Sequence, residues 1–136
     1  MMLEKEQIMS GYAGIASTQV YYEMMGEGSP IVLIHGGNLD RRMWDDQMGQ
    51  FSSRYRVIRY DVPGFGKTDP PSTPFSNTVF LNALLTLLNI EQAVLVGLFL
   101  GGRISIDFAI EYPDRISSLI LSGPGLCGFQ SCTEFS

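Results

Sequence analysis

Gly97 and Gly101 stand two positions either side of Phe99 in the run Val96-Gly97-Leu98-Phe99-Leu100-Gly101-Gly102. An apolar, strand-like stretch precedes this run and a helical pattern follows it. A junction of that kind holds its central residue in a strained backbone conformation, and the flanking glycines let strand and helix approach each other. The central side chain then emerges at the carboxyl edge of the sheet, beside the free N–H groups of the helix's first turn. A nucleophile placed there could attack a carbonyl. Phe99 has no nucleophilic atom, so this position cannot supply one. The plain alternative is an ordinary strand-to-helix turn marked by two glycines.

Two other segments combine unusual backbone with chemically capable side chains. His35-Gly36-Gly37-Asn38 interrupts the chain just after the apolar run Ile31-Val32-Leu33-Ile34, and Asp61-Val62-Pro63-Gly64-Phe65-Gly66-Lys67-Thr68 follows a strand-like stretch at 55–60. The elements around them read as a regular series. Strands are expected at 11–15 and 18–24 with a turn after them, then at 31–34, 55–60, 93–96 and 116–121. Helices are expected from Asp40, as a cap, to about 52, from 77 to 88 and from 100 to 112, where Pro113 stops the last one. Strands alternating with helices from residue 31 onward imply crossover units and a mainly parallel sheet with helices on both faces. The first two strands fit an antiparallel hairpin at one edge.

The composition bounds what such a sheet can do. The chain has 136 residues, of which 45% are hydrophobic and 17% charged, so one globular domain with a real core is expected. The net charge of −5 argues against nucleic acid or an anionic membrane surface as a partner. Residues 1–7 lack an apolar signal core, and the longest apolar stretch, 93–100, is too short for a membrane span. The two cysteines, Cys127 and Cys132, read as free thiols of a cytoplasmic protein, and no metal site or cofactor is expected.

Taken together, His35-Gly36-Gly37, the Asp61 to Thr68 loop and the Gly97 to Gly101 turn resemble the α/β-hydrolase family, in its esterase, lipase and epoxide-hydrolase-like branch. Their order matches, and Glu111-Tyr112-Pro113-Asp114-Arg115-Ile116 is similar to the family's passage into the sixth strand. The likeness covers roughly residues 11–126, taken as a partial α/β-hydrolase domain between an extension at 1–10 and a tail at 127–136. It implies that Phe99 occupies the nucleophile position, where the family has serine. Gly37 or Asn38, with Leu100, would supply the backbone N–H donors of an oxyanion hole. His35, Gly36, Asp61, Gly64, Gly66, Gly97 and Gly101 would shape the loops, with neither His35 nor Asp61 taking part in proton transfer.

The family's catalytic acid and histidine come later than anything found here. His35 is the single histidine. The expectation is therefore a truncated α/β-hydrolase-type protein, ancestrally a carboxylic-ester-type hydrolase, inactive as this chain. Two alternatives stand beside it. One is a non-catalytic ligand- or protein-binding module, with a small apolar ester-like ligand as the implied guest. The other is a hydrolase active only when a C-terminal half completes it. The Phe99 ring is expected to point into the space above Gly37 and Asn38, and the edge at 118–121 to invite self-association.

Overall fold

A computed structural model describes residues 7–123. Strand β1 runs over Met9–Ile15, β2 over Thr18–Met25 and β3 over Ser29–Ile34. A 3₁₀ turn at Arg41–Trp44 leads into helix α1, Asp45–Phe51, and then β4, Tyr55–Tyr60. Helix α2 spans Asn77–Leu87, β5 Ala93–Leu98 and α3 Leu100–Glu111, and a 3₁₀ turn at Pro113–Arg115 delivers the chain into β6, Ile116–Ser122.

The six strands form one sheet in the order β1-β2-β4-β3-β5-β6. β1, β2 and β4 pair antiparallel, whereas β4, β3, β5 and β6 are parallel neighbours. The expected class, a mainly parallel sheet with an antiparallel hairpin at one edge, is the observed one. β3 lies inside the sheet, and Val32, Leu33 and Ile34 have no exposure at all. Ile31 and Leu33 pack with Trp44 and Met48 on one face, while Val32 and Ile34 pack with Phe80, Leu84 and Phe108 on the other. Burial on both faces explains why this strand reads as an unbroken apolar run instead of an alternation. Each such side chain contributes roughly 1.5–3 kcal/mol of hydrophobic stabilisation.

Several boundaries differ from expectation for identifiable reasons. β1 begins at Met9, two residues into the segment read as an extension, because Met9 and Ser10 pair with Met24 and Glu23. The single helix expected from Asp40 is split. Asp40 accepts a hydrogen bond from the Arg42 N–H at 2.9 Å, and the Arg41 N–H is drawn to Asp61 at 2.8 Å, so the first turn is tight before α1 begins. β5 extends two residues beyond 96, since Gly97 and Leu98 pair with Leu121 and Ser122. The expected tail at 127–136, with Cys127 and Cys132, lies outside the described residues.

Candidate functional site: the carboxyl edge of the sheet

The junction between β5 and α3 is built by backbone contact. A Cβ on Gly97 would run into the Gly101 carbonyl, and one on Gly101 would collide with the carbonyl of Ile34 at the end of β3. Only glycine permits strand, turn and helix to close at this point. Phe99, between them, has φ 49° and ψ −109°. That left-handed φ is uncommon for a bulky residue and costs of order 1–3 kcal/mol. The surrounding packing imposes it: the Phe99 carbonyl accepts the first helical bond from Arg103 N–H at 2.9 Å, and its own N–H donates to Ser122 at 3.2 Å.

The Phe99 ring makes no contact with the position a Cβ on Gly37 would take. A Cβ on Gly37 would have Leu100 Cβ, at 3.9 Å, as its nearest neighbour beyond the adjoining residues. The ring instead rests against Gly123 just past β6, where an added Cβ would stand 2.6 Å from Phe99 Cε1. The missing side chain at Gly123 leaves the gap that the ring takes. Phe99 remains 48% exposed, so it sits at the mouth of the carboxyl edge and not beneath the sheet.

Gly36, Gly37 and Asn38 form a turn closed by a hydrogen bond from Leu39 N–H to the Gly36 carbonyl at 3.2 Å, with Asn38 at φ 63°. The turn is seated against the elbow, since a Cβ on Gly36 would touch the Leu98 carbonyl at 3.3 Å. Leu100 and Gly37 are thus brought side by side from two different loops. The first turn of a helix carries backbone N–H groups with no partner inside the helix.

His35 is fully buried below this turn. Its Nδ1 donates to the Gly36 carbonyl at 2.8 Å, and its Nε2 accepts from the Val62 N–H at 3.0 Å. This arrangement requires the neutral Nδ1–H tautomer. Burial pushes the imidazole pKa below its ordinary value, outweighing the Gly36 carbonyl and the nearby Asp61 and Asp40 charges. With both nitrogens engaged, His35 ties the loop after β3 to the loop after β4 and has no lone pair facing the elbow.

Asp61 is equally buried. Its carboxylate accepts from the backbone N–H groups of Arg41 and Lys67, both at 2.8 Å, and from Arg41 Nη1 at 2.7 Å. Gly66, at φ 54°, has no room for a side chain because its Cβ would strike this carboxylate. Gly64, at φ 96°, opens the same loop, and its N–H donates to the Thr68 carbonyl at 3.0 Å.

Beyond the residues expected from sequence, the loops rest on a buried ionic cluster. Glu23 in β2 receives Arg59 Nε at 2.8 Å, Arg41 Nε at 3.3 Å and the Tyr21 hydroxyl at 2.7 Å. Arg59 also reaches Asp45 at 2.6 Å. The Tyr21 ring lies against Arg41 and Lys67, with the cationic groups 4.7 and 4.6 Å from its centroid. Burial raises the Glu23 pKa, but the bonds from Tyr21 and Arg59 and the two guanidinium charges outweigh it, leaving the carboxyl below its ordinary range. The sequence carried one faint sign of this cluster: a lone glutamate in β2 and two arginines in β4. Only the register, in which Glu23 faces Arg59, makes them a pair.

Among the described residues no cluster of histidine, cysteine and carboxylate side chains could hold a metal ion, and no helix is long and apolar enough to cross a membrane.

The comparisons with known proteins point one way. A family model described as alpha/beta hydrolase fold matches residues 29–136. The 2-hydroxy-6-oxo-6-phenylhexa-2,4-dienoate hydrolase of Comamonas testosteroni is 38% identical over 117 residues, which is 80% of this chain and 41% of that protein. The 2-hydroxy-6-oxononadienedioate/2-hydroxy-6-oxononatrienedioate hydrolase of the same organism is 35% identical over 85% of this chain and 43% of its own length. A variant of the Vigna radiata epoxide hydrolase superposes with a TM-score of 0.80 at 26% identity, covering 85% of this chain and 38% of that one. The chain therefore spans less than half the length of these relatives. The chain belongs to the α/β-hydrolase fold family.

Proposed function

We propose that this chain carries the oxyanion side of an α/β-hydrolase site without its nucleophile, and that it does not hydrolyse esters by itself. The observation that carries this reading is Phe99 at φ 49°, at the tip of the elbow, where the fold presents its attacking group. A phenyl ring has no lone pair to attack a carbonyl and no proton to exchange. Leu100 beside Gly37 supports the retention of the donor pair, which would orient a carbonyl or carboxylate without breaking a bond. A small apolar ester-like molecule is the ligand class we assign to this arrangement.

The test is hydrolysis of an activated aryl ester by the purified chain and by Phe99→Ser. The unaltered chain is expected to show no turnover above buffer. Phe99→Ser is expected to stay at or near that level, because the sole histidine of the 136 residues, His35, has both ring nitrogens occupied. Donors and binding alone leave roughly 10³–10⁴-fold catalysis over water in a complete triad enzyme stripped of one triad member, an upper guide for this chain. Turnover by the unaltered chain would overturn the proposal.

A second reading is favoured by the coverage of the relatives, which extend well beyond the matched portion. In it, the remainder of an α/β-hydrolase supplies acid and base in the assembled protein. The unaltered chain mixed with a relative's C-terminal portion would then show ester hydrolysis that neither part shows alone, and no gain on mixing would dismiss this reading.

A further inference from the structure

At the end of the sheet away from the elbow, a cleft of about 700 Å³ is lined by Met9, Met24, Met25, Gly26, Ser52 and Arg56, among others. Met9 and Met24 are direct partners across the β1–β2 ladder. Met9 is 64% exposed and Met24 partly so, whereas Met48, on the core-facing side of α1, is 2% exposed. Methionines commonly fill gaps in a core, and Met48 does so. Met24 differs because its sulfur meets a cation: Arg56 Nη2 lies 3.5 Å from Met24 Sδ and donates to the Leu88 carbonyl at 3.2 Å. A thioether is a weak acceptor, so this partly buried guanidinium is left poorly matched on its Met24 side.

We propose that Met24 is an oxidation site whose sulfoxide oxygen is received by Arg56. The oxidant is a peroxide entering from the cleft. A sulfur lone pair attacks one peroxide oxygen, an S–O bond forms and the O–O bond breaks. The departing hydroxide takes the proton of the transferred oxygen, leaving sulfoxide and water. Sulfur loses two electrons and the peroxide gains them. The product oxygen is a strong acceptor beside a fixed donor, so the change that usually disrupts packing is matched by a charge-assisted hydrogen bond.

The test begins with dilute hydrogen peroxide on the folded chain carrying Met9→Leu, followed by peptide mass mapping. Oxygen is expected at Met24, with Met48 still reduced. Thermal unfolding then compares reduced and oxidised protein with and without Arg56→Leu. With Arg56 present, oxidation is expected to leave Tm unchanged or raised. With Arg56→Leu it is expected to lower Tm by roughly 4 °C or more. Met24 staying reduced while Met9 of the unaltered chain is fully converted would overturn the proposal. An equal fall in Tm in both backgrounds would do the same. If Arg56→Leu does not fold, Met24→Gln decides, since its amide oxygen stands in for the sulfoxide oxygen. It should match or exceed Met24→Leu in Tm, and a lower value would count against the site.

Discussion

Phe99 and Gly123 fit one another because each tolerates what the other imposes. The ring needs the space of an absent side chain, and Gly123, at φ 71°, has none. Gly123→Ala is expected to destabilise the chain by about 1–3 kcal/mol, through backbone strain and displacement of the ring. In a Phe99→Ala background the displacement part vanishes, so a double-mutant cycle read by urea unfolding should show a coupling of at least about 0.5 kcal/mol. Additivity would mean that the ring is not held there. His35 offers a second measurement at this scale. Its folded pKa is depressed by burial, so the unfolded chain takes up a proton at a higher pH than the folded chain does. Its contribution to stability is therefore complete above about pH 6.5 and falls as the pH drops from there toward the folded value. His35→Asn is expected to flatten that part of the stability profile, and an unchanged pH slope below neutrality would refute the assignment.

At the scale of elements, the elbow and the Gly36–Asn38 turn were legible because glycine and histidine stand at fixed places after apolar strands. Backbone constraints of this kind are written locally. The direction of the Phe99 ring was not, because it depends on Gly123, which belongs to another strand end. The ionic cluster was hidden for the same reason: Glu23, Arg41 and the Arg59–Asp61 stretch come from three separate segments, and sequence alone does not bring their charges together. The β6 edge lies between these cases. Among the described residues it pairs on one side, with β5, and exposes Ile120 at 54% and Leu121 at 40%. A strand with unpaired backbone, exposed apolar side chains and no charged residue invites strand addition. Self-association is the expected outcome, seen as a sedimentation mass that rises with concentration. Ile120→Lys should lower that mass toward the monomer, and a concentration-independent monomer in the unaltered chain would dismiss the edge as an interface.

Across the whole molecule, the division of labour is spatial. The carboxyl edge gathers the elbow, the Gly36–Asn38 turn and the Asp61 loop, while the opposite end carries the Met24–Arg56 contact. The two ends are separated by the strands themselves, about 20 Å for six residues at roughly 3.3 Å each. Changes at one end should leave the other undisturbed: Phe99→Ser is expected to alter neither the extent nor the position of methionine oxidation, as peptide mapping can check. The strand order has a further consequence, in time. β3 is made early, but one flank waits for β4 and the other for β5, whose Val94 pairs with Ile31. At ordinary translation speeds, roughly 3–13 s pass between the synthesis of those two residues. Through that interval the β5-facing flank of β3, a strand buried on both faces, exists without its partner. A growing chain halted before residue 93 should therefore be bound by holdase chaperones and cut readily by protease, and one extended far enough for β5 to clear the ribosome should escape both.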